Sequence, residues 1–163
     1  MIKKIGLLLL GVSCFLSACT NKKETLNLKW ATMNIRLDNP ADSMDNWKYR
    51  KDAVAQFIKE QGLDIVGMQE VLHNQLTDVG VGREDGATKG EYTPIFFKKD
   101  KFEVLDSNTF WLSQYPDSAG FIGWDGACPR IATWVKLKYK KTGKVFMAIN
   151  THFDHVGGEA RNK

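Results

Sequence analysis

The sequence predicts an α/β (α+β) layered domain, on three observations. Between Leu26 and Val79 the apolar pattern alternates strand, helix, strand, helix, the order typical of layered α/β proteins. Beyond a glycine-rich interruption, segments 102–112, 131–139 and 145–151 carry the alternating or apolar patterns of strands. The chain also has material for a packed core: 163 residues, 43% hydrophobic and 11% aromatic, with five Trp. That length suits one domain, and the composition excludes wholesale disorder. A formal charge of +4 with no lysine-rich tail gives no case for bulk electrostatic binding and leaves nucleic acid and small anions open as ligands. Three Cys are too few for a disulfide scaffold.

The N-terminal segment is read as targeting rather than fold. Lys3 and Lys4 precede an apolar run from Ile5 to Leu16. A helix of about 12 residues would span about 18 Å, short of a bilayer core of about 30 Å, and the pattern is that of a secretory signal. Leu16-Ser17-Ala18-Cys19 resembles the bacterial lipoprotein cleavage box. The resemblance implies a signal peptide at 1–18, acylation of Cys19 and a polar tether at 19–25. Cleavage would leave 145 residues, a side-chain charge of +2, and Cys128 as the remaining free thiol. Acyl chains on Cys19 would anchor the chain stably, since each buried CH₂ contributes about 0.8 kcal/mol. Thr20, rather than Asp, after the Cys resembles sorting to the outer membrane, so the expected location is extracytoplasmic, in the cell envelope.

The elements follow in order. Leu26 to Ile35 is a strand entering a buried sheet. Asp38 to Asp45, rich in Asp, Asn, Ser and Pro, is a loop. Asp45 or Asn46 caps a helix from about Trp47 to Gln61, with Trp47, Val54, Phe57 and Ile58 near helical spacing and Gly62 suited to the position after its end. Leu63 to Met68 is a short buried strand, and 71–79 a second short helix. Gly80 to Gly90 holds four glycines and reads as a flexible, solvated loop carrying Arg83, Glu84 and Asp85. Glu91 to Lys98 and Phe102 to Leu112 read as a strand pair turning at Lys99-Asp100. Ser113 to Arg130 is loop. Ile131 to Tyr139 alternates, with Ile131, Thr133, Val135 and Leu137 on one face. Lys140 to Lys144 turns the chain into Val145 to Thr151.

Three polar residues stand at the ends of apolar strands: Asn34, Glu70 and His152. Strand ends in layered α/β proteins are where ligands are bound. Taken singly, each also fits a structural role: a turn cap, a helix cap, a satisfied buried histidine. His152-x-x-His155 invites a zinc reading, but residues three apart on a strand face opposite ways. Of the tryptophans that could stack on bases, Trp134 reads as core and Trp124 as a cleft wall.

Taken together, Met33-Asn34-Ile35-Arg36, Gln69-Glu70 and Asn150-Thr151-His152-Phe153-Asp154-His155 resemble, in order, the motifs of the endonuclease/exonuclease/phosphatase superfamily. Gly82-Arg83-Glu84-Asp85-Gly86, Gly90-Glu91-Tyr92 and Gly123 to Trp134 resemble a bacterial secreted subgroup. The resemblance covers Trp30 to the last residue and implies a DNase I-like four-layer sandwich. It implies a metal-dependent hydrolase of phosphoester bonds using Mg²⁺ (or Mn²⁺), hard cations that prefer carboxylate oxygens and retain several waters. Glu70 would ligate the metal, and Asn34 would orient the metal shell or a phosphate oxygen. His152 would donate a hydrogen bond or proton to the scissile phosphate. Glu91 resembles a carboxylate that pairs with this histidine and fixes its tautomer, though an exposed strand-edge Glu is an equal reading. Arg130 would touch phosphate through its fork. Substrate remains open among nucleic acid, phospholipid and sugar phosphate, and no obligate protein partner is identified.

The resemblance also implies motifs that this sequence lacks: a Gly-Asp-Phe-Asn-like motif and a later Asp-His pair. Segment 26–163 is therefore expected to be a partial, C-terminally truncated domain, one mixed sheet with flanking helices and an uncovered inner face, inactive alone. The alternative is a non-catalytic product on the same scaffold, a gene fragment or a binding lipoprotein.

Overall fold

The computed structural model describes residues 25–75 and 80–163. The signal, Cys19 and most of the tether, together with 76–79 of the second expected helix, lie outside the described residues. The elements are β1 (Trp30–Asn34), a 3-10 segment (Pro40–Asp45), α1 (Trp47–Glu60), β2 (Ile65–Gln69), a 3-10 turn (His73–Gln75), β3 (Ile95–Phe97), β4 (Phe102–Trp111), β5 (Ile131–Tyr139), β6 (Val145–Thr151) and α2 (Gly158–Asn162).

The first half is a βαβ unit. The Asn46 side chain accepts from the Lys48 N–H and starts α1. Gly62, at φ +63°, ends it in the left-handed region, where glycine carries no steric penalty. α1 lays Trp47, Val54 and Ile58 over the Val66 and Met68 face of β2, while Phe57 stays exposed. β1 runs parallel to β2, and β3 antiparallel to it. Where the short helix is expected, Val71 is instead fully buried and bridges Tyr92, and His73–Gln75 forms a single 3-10 turn.

The α/β class holds, but among the described residues the strands form two three-stranded sheets rather than one: β1-β2-β3 and the antiparallel β4-β5-β6. The expected pairing of 91–98 with 102–112 does not occur. The turn is real, with Lys101 and Phe102 N–H bonding Lys98 O at 3.0 and 3.1 Å. It hands the chain from one sheet to the other, and β4 pairs with β5 instead. The sheets meet through Ile65 and Ile95 on one side and Phe102, Val135, Leu137 and Ala148 on the other. The inner face expected to lie bare is thus covered where these side chains meet, while Trp30 of β1 and Val104 of β4, which face the same way, stay exposed. Burial of each such aliphatic side chain contributes about 1.5–3 kcal/mol. Val145, Met147 and Ile149 of β6 are exposed on the far side of the second sheet.

Candidate active site

A buried polar brace brings the ends of β2 and β6 together. The Asn150 amide donates to Met68 O at 2.6 Å and Pro94 O at 3.0 Å. Its Oδ1 accepts from Gln69 Nε2 at 2.6 Å, and that amide also donates to Thr32 Oγ1 at 3.0 Å. Gly67 leaves room for this crossing, because a Cβ there would lie 2.7 Å from Asn150 Oδ1. Gln69 precedes Glu70, and Asn150 stands two residues before His152. The brace therefore fixes two candidate site residues that are far apart in sequence.

Asn34 and Glu70 sit at adjacent ends of the parallel strands β1 and β2. Asn34 Nδ2 donates to Glu70 Oε1 at 2.7 Å, and Asn34 Oδ1 accepts from the Arg36 N–H at 2.9 Å. The Leu37 N–H bonds Glu70 Oε2 at 3.3 Å. Glu70 adopts φ +59°, a left-handed conformation uncommon outside glycine. Burial works against its charge. The Asn34 and Leu37 hydrogen bonds, with the His152 ring and the Arg36 charge nearby, more than offset it and hold the carboxyl below its usual range. A charged carboxylate beside a neutral amide fits a hard cation that retains most of its waters. Among the described residues no three His, Cys, Asp or Glu side chains gather around a common centre.

His152 follows β6, with its Nδ1 buried and 3.5 Å from Glu91 Oε2. Glu91 is no exposed strand-edge residue. Its carboxylate takes both arms of the Arg83 guanidinium, Nη1 to Oε2 at 3.0 Å and Nη2 to Oε1 at 3.2 Å. The glycine-rich segment that holds Arg83 is hydrogen-bonded across itself: Gly82 N–H bonds Ala87 O, Arg83 N–H bonds Glu91 O and Glu84 N–H bonds Lys89 O, each at 3.1 Å. Glu84 and Asp85 are exposed as expected, while Arg83 is turned inward. Gly86 and Gly90 supply the positive φ values that close it. The signal for this in the sequence is opposite charges on either side of a glycine-punctuated turn.

Arg130 stands in a second network. It is 6% exposed; its Nε bonds Asp154 Oδ2 at 3.2 Å and its Nη2 lies 3.0 Å from His155 Nδ1. That contact commits His155 to Arg130 and away from a shared site with His152. Asp154 also accepts from the N–H groups of Ala127, Val156 and Gly157. Burial opposes its charge, yet these bonds and Arg130 hold it far below the usual carboxylate range. Among the described residues no hydrogen bond or ion pair joins this network to the first, although Arg130 precedes β5, the strand paired with β6. Trp124, at φ +48°, lines with Phe153 and Trp111 an apolar cavity of about 300 Å³ beside His152 in sequence. Trp134 is half-buried rather than core.

No protein-family model and no curated protein matches the chain. Among solved structures it is similar to an endonuclease/exonuclease/phosphatase from Bacteroides vulgatus, with 64% identity and a TM-score of 0.81 over 82% of this chain and 55% of that one. It is similar to a mannosyl-6-phosphatase from Bacteroides thetaiotaomicron, with 39% identity and a TM-score of 0.80 over 83% of this chain and 55% of that one. The human Nocturnin catalytic domain shares the fold at 18% identity, TM-score 0.58, over 78% of this chain and 50% of that one. The chain spans about half the length of the structures it matches.

Proposed function

This chain belongs to the endonuclease/exonuclease/phosphatase superfamily, and we propose that it supplies the metal- and phosphate-binding half of a phosphoester hydrolase centre. The observation that carries this reading is the convergence of Asn34, Glu70, Glu91 and His152 at one end of the two sheets. Glu70 would hold Mg²⁺ or Mn²⁺ with Asn34 beside it. When bound, such an ion withdraws charge from phosphoryl oxygens as the ester bond breaks. His152, with Nδ1 turned toward Glu91, would present Nε2 to the phosphate, and when the ring carries a proton on both nitrogens Nε2–H donates a hydrogen bond or proton there. Arg130, whose Nε and Nη2 are held by Asp154 and His155, would offer its remaining Nη1 to a phosphate oxygen.

A sugar phosphate is the first substrate to test, because a relative 39% identical is named a mannosyl-6-phosphatase. Nucleic acid and phospholipid are the comparison substrates. The site would work outside the cytoplasm on a chain anchored through Cys19, and no helix among the described residues is long and apolar enough to cross a membrane.

The test is calorimetric titration of the chain with Mn²⁺, followed by phosphate release from mannose 6-phosphate and bis-p-nitrophenyl phosphate. The expected result is binding that weakens at least about tenfold in Glu70→Gln, and any turnover lost in Glu70→Gln and His152→Ala. Wild-type protein that binds no divalent ion would overturn the proposal and leave a non-catalytic scaffold. Incorporation of labelled palmitate, abolished in Cys19→Ala, tests the anchor.

A further inference from the structure

We infer that Arg83 is a positioning residue that acts through Glu91 to orient His152. The inference rests on the proposed role of His152 at the phosphate. Glu91 Oε2 is shared: Arg83 Nη1 lies 3.0 Å from it and His152 Nδ1 3.5 Å. Left alone, the Glu91 carboxylate could rotate about its last bonds, and a contact of 3.5 Å is too long to hold it. The Arg83 fork takes one lone pair on each oxygen and sets the carboxylate plane. The remaining lone pair of Oε2 then faces His152.

The rest of the segment holds Arg83 to this task. Its carbonyl accepts from Trp111 Nε1 at 2.7 Å, pinning it to β4. Its N–H bonds Glu91 O at 3.1 Å, so the two residues are paired through backbone as well as side chain. Both side chains are largely buried, Arg83 15% and Glu91 16% exposed, so solvent screens the pair weakly. A neutral imidazole carries its proton on one nitrogen. An oriented carboxylate selects Nδ1–H and leaves Nε2 aimed away from Glu91.

The experiment uses the full chain with Arg83→Gln, Arg83→Lys, Glu91→Gln and the Arg83→Gln/Glu91→Gln double variant. Long-range ¹H–¹⁵N spectra of the imidazole, assigned with His152→Gln, report which nitrogen carries the proton and need no turnover. Wild type should show one tautomer protonated on Nδ1, Arg83→Gln a mixture, and the charge-retaining Arg83→Lys an intermediate. Where a phosphoester is turned over, Arg83→Gln should lower kcat about tenfold with KM within about twofold. The double variant should be no slower than Glu91→Gln alone. An unchanged tautomer in Arg83→Gln, or losses that multiply in the double variant, would overturn the inference. A wild-type chain that binds no divalent ion counts against the proposed function, while the spectra still decide the role of Arg83.

Discussion

Gly67→Ala should destabilise the protein by about 1–3 kcal/mol, and the same substitution should be nearly neutral once Asn150 is alanine. Gly67 lies in β2 with no positive φ, so an alanine backbone is allowed. The loss of chain freedom in the unfolded state would by itself stabilise by about 0.4–1 kcal/mol. Space decides the sign. The new Cβ would meet Asn150 Oδ1 at 2.7 Å, Cγ at 2.8 Å and Cβ at 3.2 Å. The Asn150 amide cannot swing aside freely, because it holds Met68 O, Pro94 O and Gln69 Nε2. Each bond lost without replacement costs about 1–3 kcal/mol when its partner stays buried. In an Asn150→Ala background the two closest contacts disappear, leaving the 3.2 Å approach that a shift of a few tenths of an ångström relieves. Guanidinium unfolding of the four proteins gives the cycle, with an expected coupling of at least about 1 kcal/mol. Equal losses in both backgrounds would refute the claim that the glycine exists to admit the asparagine.

Two further outcomes follow from the Arg130 network. Asp154→Asn should lose about 2–3 kcal/mol at neutral pH. Because the folded carboxyl titrates far below its unfolded value of about 3.9, its contribution is complete above that value and fades as pH falls below it. Urea midpoints of wild type and Asp154→Asn should therefore converge between about pH 4 and pH 2, and a constant gap would refute the assignment. Arg130→Lys keeps the charge but loses the fork to Asp154 and His155. It should weaken inorganic phosphate binding about tenfold by calorimetry while thermal stability falls modestly.

The parts of the fold written in local sequence were legible. α1 announced itself by its Asn46 cap, its apolar spacing and Gly62, and β5 with β6 by alternation across Lys140–Lys144. The division into two sheets was not, because the turn at Lys98–Phe102 looks like a hairpin turn and tertiary packing alone decides that β3 and β4 part company. Of the site, Asn34, Glu70 and His152 were visible as polar residues closing apolar strands. Arg83 was hidden by its glycines, which read as flexibility when they in fact close a compact turn. Gln69 and Asn150 stand in the sequence beside more reactive residues, although amides at inward strand positions require partners wherever they are buried. Asp154 stands in the sequence only as part of the His152 motif, whereas bonds from Ala127, Arg130, Val156 and Gly157 make it the clamp of the 127–130 and 155–157 backbone.

The Gln69–Asn150 brace has one more consequence. Asn34 and Glu70 ride on the first sheet and His152 on the second, so the distance between carboxylate and imidazole is a property of sheet docking and not of strand formation. Each sheet could keep its ladder intact while the two slide by a fraction of an ångström, and the pocket would be out of tune with every strand still in place. Ligand affinity is therefore the more sensitive thermometer of this molecule, and circular dichroism the blunter one.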